Sequence, residues 1–415
     1  MSGASWNIPP ETLENLFEDF KPALNDAEAN LEANRCINCY EAPCVSACPT
    51  RIDIPKFIRR IASGNLSGAA RTILDSNILG LSCAQVCPTE VLCEGSCVYN
   101  SLNKKPIMIG KLQRHAVEHA YDQELEFYKP GKPSGKRVAL VGAGPASLSC
   151  AHELRILGHE TVIFEKSELP GGLNTVGIAP YKMKALTSLR EVERIGKLGV
   201  EFRFGKELGR DFSLEDLTRE FDAVFLGLGL GPDSRLEASK NFEHPRVRGA
   251  VEFISQLKSD NASRLDWLRE VKTALVVGGG NTALDACREL KKLGVPRVIL
   301  SYRRDEAAMS GYVHELKWAK QEGVEFWFET LPTCFEKVPG DHIKVRFQKT
   351  DLDVGLVLVA IGQAKIKLAQ TSHPKVFTGG DFASGGKEVV NAVAEGKLAA
   401  KRMDEGFKEE GFKNG

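Results

Sequence analysis

The chain has 415 residues, enough for two or three domains each with its own core. Its 55 Lys and Arg balance 55 Asp and Glu, so no net charge draws it to nucleic acid or to an anionic membrane. Apolar runs such as 356–361 fall far short of a membrane span, and the N-terminus, acidic over 11–19, does not read as a secretory signal. With 11 cysteines and no export signal, the expected compartment is the reducing cytoplasm.

Residues 1–35 read as a lead-in and then a helix over 25–35, opened by a capping Asn25 or Asp26. Leu13, Leu16, Phe17 and Phe20 are spaced for one helical face that docks on the body. The helix delivers Cys36, the first of eight cysteines packed into residues 36–97. They form two quartets: Cys36, Cys39, Cys44 and Cys48, then Cys83, Cys87, Cys93 and Cys97. Soft thiolates at such spacings suit iron–sulfur clusters, and Cys48 and Cys87 each precede a proline, as in ferredoxin cluster runs. Spacing alone gives each quartet its own 4Fe–4S cluster. A zinc site would want a second Cys-x2-Cys pair or histidines at set spacing, and disulfides do not suit the expected compartment. Amphipathic stretches at 52–62, 68–74 and 109–121 make this first domain, residues 1–133, helical with its thiols in loops. A Pro- and Gly-rich linker at 130–135 ends it.

The pattern then changes. A buried strand from Arg137 runs into Gly142, Gly144 and Ser147, then a helix, then a strand ending in Glu165. This is a dinucleotide-binding βαβ unit: Gly142 makes the tight turn, Gly144 admits a pyrophosphate to the helix N-terminus, and Glu165 accepts from ribose hydroxyls. Ser147 replaces the third glycine, where only close helix–strand packing is needed. Pro145, Ala146 and Lys166 flank these positions and are expected at the same cofactor.

A second copy opens at Thr273, with Gly278, Gly280, Asn281 and Thr282 at its turn. Its second strand ends in Arg303 and Arg304 in place of an acid. Arginines there accommodate a 2′-phosphate, so this unit reads as nicotinamide-binding with a preference for NADPH over NADH. Near the end, a strand closes in Gly379, Gly380 and Asp381, and a helix holding Val390 follows. A carboxylate at a strand tip and a helix N-terminus suit a flavin. Cys150, Cys287 and Cys334 are isolated, and no redox-active cysteine pair of a disulfide reductase is present.

This order resembles the flavoproteins with two dinucleotide-binding domains, in which an FAD domain in two pieces carries an inserted NAD(P)H domain. The resemblance implies an α/β fold: a helical domain with two 4Fe–4S clusters, followed by two Rossmann-like dinucleotide-binding domains. The FAD domain would comprise 134–232 and 350–415, and the NAD(P)H domain 233–349. Segment 221–231 is similar to the crossover strand out of the FAD domain, and 356–362 to the return strand. Gly172, Leu173 and Lys182 stand in a segment similar to the one that passes the flavin ring, which implies Lys182 near the isoalloxazine.

With the cysteine motifs Arg35–Cys39, Ala47-Cys48-Pro49-Thr50, Val86-Cys87-Pro88-Thr89-Glu90 and Leu92–Cys97, the chain resembles a narrower family. It contains the N-terminal half of dihydropyrimidine dehydrogenase, the small subunit of its bacterial counterpart, and the glutamate synthase small subunit. The second quartet is closer to the pyrimidine-reducing branch; Tyr302–Glu306 and Met309 are closer to glutamate synthase. By this likeness the quartets interlace: Cys36, Cys39, Cys44 and Cys97 hold one cluster, and Cys48, Cys87, Cys93 and Gln113 the other. Cys83 is the alternative to Gln113, and spacing does not choose between them.

The function implied is electron input: hydride from NAD(P)H to FAD, single electrons through two clusters, and exit to a partner. No side chain need act as acid or base. The resemblance points to a dihydropyrimidine dehydrogenase small subunit in a hetero-oligomer with an FMN-bearing catalytic subunit. The alternatives are a glutamate synthase small subunit, a ferredoxin:NADP-type reductase, or a non-catalytic electron-transfer or assembly subunit.

Overall fold

In the computed structural model, which describes residues 9, 11–260, 262–368 and 372–413, the thiol-bearing segment is helical. It comprises α1 (Asp26–Asn34), α2 (Pro43–Ala47), α3 (Ile54–Ala62), α4 (Leu66–Ser76), α5 (Gly80–Val86), α6 (Val98–Ser101) and α7 (Ile109–Asp122). The side chains of Asn25, Asp53 and Asn65 cap α1, α3 and α4, each accepting from the amide three residues on. α3 buries Ile54, Phe57, Ile58 and Ile61 against Ile73 of α4 and Leu112 and Val117 of α7. Ahead of α1, residues 13–20 depart from the expected helix. Only a 3-10 turn forms at Leu13–Leu16; Phe17 is buried, while Leu16 is 68% exposed. Polar anchors described below hold this segment extended, so it docks as a strap.

The second part runs β1 (Arg137–Val141), α8 (Pro145–Ile156), β2 (Glu160–Phe164), α9 (Leu173–Val176), α10 (Ala185–Gly196), β3 (Glu201–Arg203), α11 (Leu214–Glu220) and β4 (Ala223–Leu226). There follow β5 (Val247–Gly249), α12 (Ala250–Ser259), β6 (Thr273–Val277), α13 (Asn281–Lys292), β7 (Arg297–Ser301), α14 (Val313–Gln321) and β8 (Glu325–Trp327). β9 (Cys334–Val338), β10 (His342–Arg346), β11 (Asp351–Val354) and β12 (Leu356–Val359) come next, then β13 (Val376–Thr378), α15 (Asp381–Ser384) and α16 (Val389–Lys413).

Two parallel five-stranded sheets result, ordered β13-β4-β1-β2-β3 and β5-β12-β6-β7-β8, with an antiparallel β11-β10-β9 sheet beside the second. In the first, Leu140 stands between Ile163 and Phe225, so β1 is buried on both faces and reads as an unbroken apolar run. The sheets correct one expectation. The segment 350–360 does not return to the flavin unit: β12 lies between β5 and β6 of the inserted one. The chain rejoins the first sheet only at β13, beside β4. β4, expected as the crossover strand, is an internal strand of that sheet.

Helical domain and first sheet share one core, which runs from α3, α4 and α7 into β1, α8 and α16. A polar node reinforces the joint. Glu191 of α10, almost wholly buried, accepts from the amides of Leu81 (2.9 Å) and Ser82 (3.0 Å) and from the Ser82 hydroxyl. Asn174 of α9 donates to the same hydroxyl at 2.7 Å. The carboxylate thus satisfies two free amides of the first turn of α5 from another domain. Among the described residues no helix is long and apolar enough to cross a membrane.

Burial pushes Glu191 up to about 7, against the pull of its three donors. A carboxyl raised in the folded state stabilises fully below its unfolded pKa, and that stability is lost as pH rises through the folded value. We expect Glu191→Gln to flatten the pH dependence of Tm between about pH 4.5 and 7, removing about 3 kcal/mol of variation. Thermal denaturation of both proteins across that window measures it; parallel curves would refute the assignment.

Candidate flavin, nicotinamide and cluster sites

The thiols fall into two groups. Cys36 follows α1, Cys39 lies in the next loop, Cys44 is on α2, and Cys97 precedes α6. Asn38, in a left-handed conformation (φ 52°), turns the chain between the first two. All four line one small cavity walled by apolar side chains, including Ile54, Ile58 and Ile107. Burial pushes Cys44 up to about 12, and the neighbouring Cys36 and Cys97 add to the rise. Iron would supply the positive charge that these crowded thiols need to ionise, so four sulfurs around an apolar hollow suit a cluster.

In the second group, Cys87 is raised first by the hydrogen bond its thiol makes to Cys83, then by burial, with Cys93 and Cys48 also acting on it. Cys48 is buried, and its sulfur lies 3.3 Å from Thr50 Oγ1. The structure therefore places Cys97 with the first three thiols and Cys48 with the later ones. Gln113, on α7, is buried, and its Nε2 donates to the Gly80 carbonyl at 2.7 Å. Among the described residues, no three His, Cys, Asp or Glu side chains close on a single point as they would around one ion.

A cavity of about 710 Å³ lies where the three parts meet. From the first nucleotide unit it is lined by Gly142, Gly144, Pro145, Ala146, Glu165 and Lys166. Gly172, Leu173, Lys182, Gly380 and Asp381 line it as well. Gly142 has φ +91°, and a Cβ there would stand 2.5 Å from the Gly227 carbonyl, so only glycine makes this turn. A Cβ on Gly144 would meet nothing within 4 Å, which is open space in front of the N-terminus of α8. Glu165 accepts from the amides of Ala143 (2.7 Å) and Ser167 (2.8 Å), so its carboxylate is pinned beside the glycine turn. These residues fit a dinucleotide: a cradle for phosphate and a fixed acid for ribose.

Two expected contacts lie outside this cavity. Ser147 is buried and faces Gly227, whose added Cβ would stand 2.2 Å from its Oγ; it serves close packing. Val390 turns into the core, and Val389 and Ala392 face the cavity instead. Asp381 accepts from the Lys387 amide at 3.0 Å, and burial raises its pKa.

From the inserted unit, Asn281 reaches the cavity, whereas Gly278, Gly280, Thr282, Arg303 and Arg304 do not line it. Asn281 Oδ1 accepts from the Tyr312 amide at 2.8 Å. Arg303 and Arg304 are exposed at the tip of β7. Neither pairs with the adjacent acids: Arg304 Nε donates to the Tyr302 hydroxyl at 2.9 Å, Asp305 caps Ala308, and Glu306 pairs with Lys320.

Lys182 is held, half-buried, between Asp285 (2.8 Å) and Glu315 (2.6 Å), clamping the flavin segment to α13 and α14. Burial works against its charge, but the two carboxylates lift it above the ordinary lysine value. One lysine cannot neutralise both acids. Burial, with the charge of Asp285, pushes Glu315 up to about 7. Sequence reasoning missed Asp285, Tyr312, Glu315 and Trp318 in this wall, and also Phe20 and Lys21. They carry no glycine or cysteine pattern that would mark them.

Residues 13–125 match the family model of dihydropyrimidine dehydrogenase domain II, 4Fe-4S cluster, and residues 136–396 match that of pyridine nucleotide-disulphide oxidoreductase. The NAD-dependent dihydropyrimidine dehydrogenase subunit PreT of Escherichia coli K12 is 34% identical, over 94% of this chain and 97% of its own. The small chain of NADPH glutamate synthase from the same organism is 32% identical, over 92% of each. Among solved structures, FprA of Mycobacterium tuberculosis shares the fold with a TM-score of 0.53 at 17% identity, over 68% of this chain and 86% of its own. Although that family includes disulphide reductases, Cys150 and Cys287 are buried on separate helices here and Cys334 is exposed elsewhere, all three unpaired. The chain belongs to the pyridine nucleotide-disulphide oxidoreductase family, as an electron-transfer FAD/NAD(P)H oxidoreductase with a dihydropyrimidine dehydrogenase-type 4Fe-4S domain in front.

Proposed function

We propose that this oxidoreductase is the electron-input subunit of a larger cytoplasmic reductase, a dihydropyrimidine dehydrogenase small subunit. One observation carries the reading. A single cavity is lined by the flavin-type glycine turn, by Asn281 of the nicotinamide-type turn, and by Cys87 and Pro88 of the second thiol group. FAD bound there would supply the exchange between hydride and single electrons. The protein's own part is placement. Glu165 and Gly144 hold the dinucleotide, Lys182 fixes the inserted unit over it, and α5 presents Cys87 at the wall. The first thiol group lies off this cavity, in its own apolar hollow, and forms the exit side.

The partner in this reading bears FMN and reduces uracil or thymine; the similarity to PreT over nearly the whole chain supports it. A glutamate synthase small subunit is the second reading, favoured by the comparable likeness to that small chain. Eleven unpaired thiols suit the cytoplasm. Anaerobic mixing of the loaded protein with NADPH should bleach the flavin within the enzyme's turnover time. Absence of bleaching would refute the enzyme reading in favour of a passive electron-transfer or assembly subunit. Affinity capture should retrieve an FMN-bearing pyrimidine dehydrogenase; a glutaminase-bearing subunit would select the second reading.

For the nicotinamide, the two exposed arginines at the β7 tip support NADPH. We expect Arg304→Glu to raise the NADPH KM by about tenfold or more and the NADH KM far less. Equal effects would overturn the preference.

For the second cluster we assign Cys48, Cys87, Cys93 and Gln113. The bond from Nε2 to Gly80 leaves the Gln113 carbonyl oxygen as its ligating atom. Gln113→Ala should lower iron content and change the EPR signal of one cluster, while Cys83→Ala leaves both intact. The reverse pattern would install Cys83 as the ligand.

A further inference from the structure

The N-terminal strap touches all three parts of the molecule. The Ala262 amide donates to Glu11 O (2.8 Å), the Ala185 amide to Glu14 Oε2 (3.0 Å), and the Phe20 amide to Tyr181 O (3.1 Å). Phe20 packs edge-on to Tyr181 and Trp318, each at 5.7 Å. From the helical side, Arg114 pairs with Asp19 (2.6 Å) and donates to Lys21 O (2.7 Å). The backbone is therefore held on both sides of Lys21, and its half-buried side chain is delivered to one place. Lys21 lines the large cavity beside Cys87 and Pro88. Its Nζ donates to Thr89 Oγ1 at 3.4 Å and enters no ion pair among the described residues.

We propose that Lys21 is an electrostatic positioning residue for electron entry from the flavin cavity into the second thiol cage. The proposal rests on the electron-input reading and adds a residue to it. One electron leaves the reduced flavin and enters the second cluster, which gains one negative charge; no bond is made or broken at Lys21, and no proton moves there. A fixed cation at the wall between donor and acceptor lowers the energy of that charged state. No acid lies at ion-pair distance from Lys21 among the described residues, and the nearby Glu94 opposes its field at the cage, so removing the Lys21 charge leaves that acid unopposed.

The experiment uses the full-length loaded protein and two variants: Lys21→Met, which keeps the stem and drops the charge, and Lys21→Arg, which keeps the charge. An EPR-monitored dithionite titration needs no nicotinamide. In Lys21→Met the equilibrium constant for reducing the second cluster should fall by about tenfold, equivalent to about 59 mV for one electron. The first cluster should stay unmoved, and Lys21→Arg should return most of the loss. Relative to the flavin-bleaching phase in the same protein, the later cluster-reduction phase should slow in Lys21→Met and not in Lys21→Arg. Equal shifts in the two variants, equal shifts of the two clusters, no shift, or iron loss in Lys21→Met would each overturn the electrostatic role. If the wild-type flavin fails to bleach with NADPH, the input reading fails, and the dithionite titration still decides the question of Lys21.

Discussion

The arrangement depends on how α5 is held. It is a helix of two turns, and its C-terminal end delivers Cys87 to the wall of the shared cavity. Its first amides are satisfied by Glu191, a buried carboxylate on α10 of the flavin unit, and its Ser82 hydroxyl is tied to Asn174 of the flavin-facing segment. A helix end buried without partners would cost several kcal/mol in unmet backbone groups. The two domains are therefore not free to separate at this joint. The shared core around α8 and α16 adds apolar contact, and the node joins the α7 packing and the Gln113 bond to Gly80 in setting the angle and depth of α5.

The inserted unit is held differently: Ala179 and Tyr181 of the flavin segment enter its core beside Phe253 and Leu284, and buried charges are added to that contact. Lys182 reaches from the flavin segment into two carboxylates on α13 and α14. The buried Lys258 of α12 donates back to the carbonyls of Ile178 (3.1 Å) and Met183 (2.9 Å). Both contacts flank residues 178–183, so this short segment is the hinge on which the unit is set. Buried ionic contacts of this kind specify orientation more than they add stability, because desolvation offsets much of the attraction. Residues 178–183 are also close to those facing the cavity. The orientation of the inserted unit and the shape of the flavin wall are thus coupled.

Much of this was legible beforehand where a residue type has no substitute. Gly142 and Gly278 stand where any Cβ would strike a carbonyl, and such steric demands leave a readable spacing. The thiol quartets are equally plain, because few uses need so many soft ligands in so short a stretch. Illegible features are those in which several residue types serve equally. An apolar strand such as β12 reads alike whichever sheet receives it, so its place between β5 and β6 followed only from pairing. Val389 and Val390 differ by one helical step, which no local pattern decides. Lys182, Asp285 and Glu315 lie far apart in the chain and meet only through the fold. Leu16 shares the spacing of Phe17 and Phe20, yet the anchored strap leaves it in water.

The sharing of thiols between the two cages has a local cause. Cys44 and Cys48 are one turn apart and would fall on one face had α2 continued. α2 ends at Ala47 instead, and Cys48 adopts an extended conformation (φ −85°, ψ 119°) that turns its sulfur away. Cys97, ahead of α6, is likewise extended (φ −64°, ψ 133°) and leaves the side of Cys93. Each cage therefore contributes one end of two short covalent struts, 44–48 and 93–97. Backbone strain in either strut would have to accompany any change in the separation of the cages, so that separation is set by bonded geometry. The gap between flavin cavity and second cage has no such strut: it is set by packing, by the Glu191 node and by the strap. Spacing within the helical domain is thus fixed by the chain itself, and the approach to it from the flavin cavity is the part that side chains set.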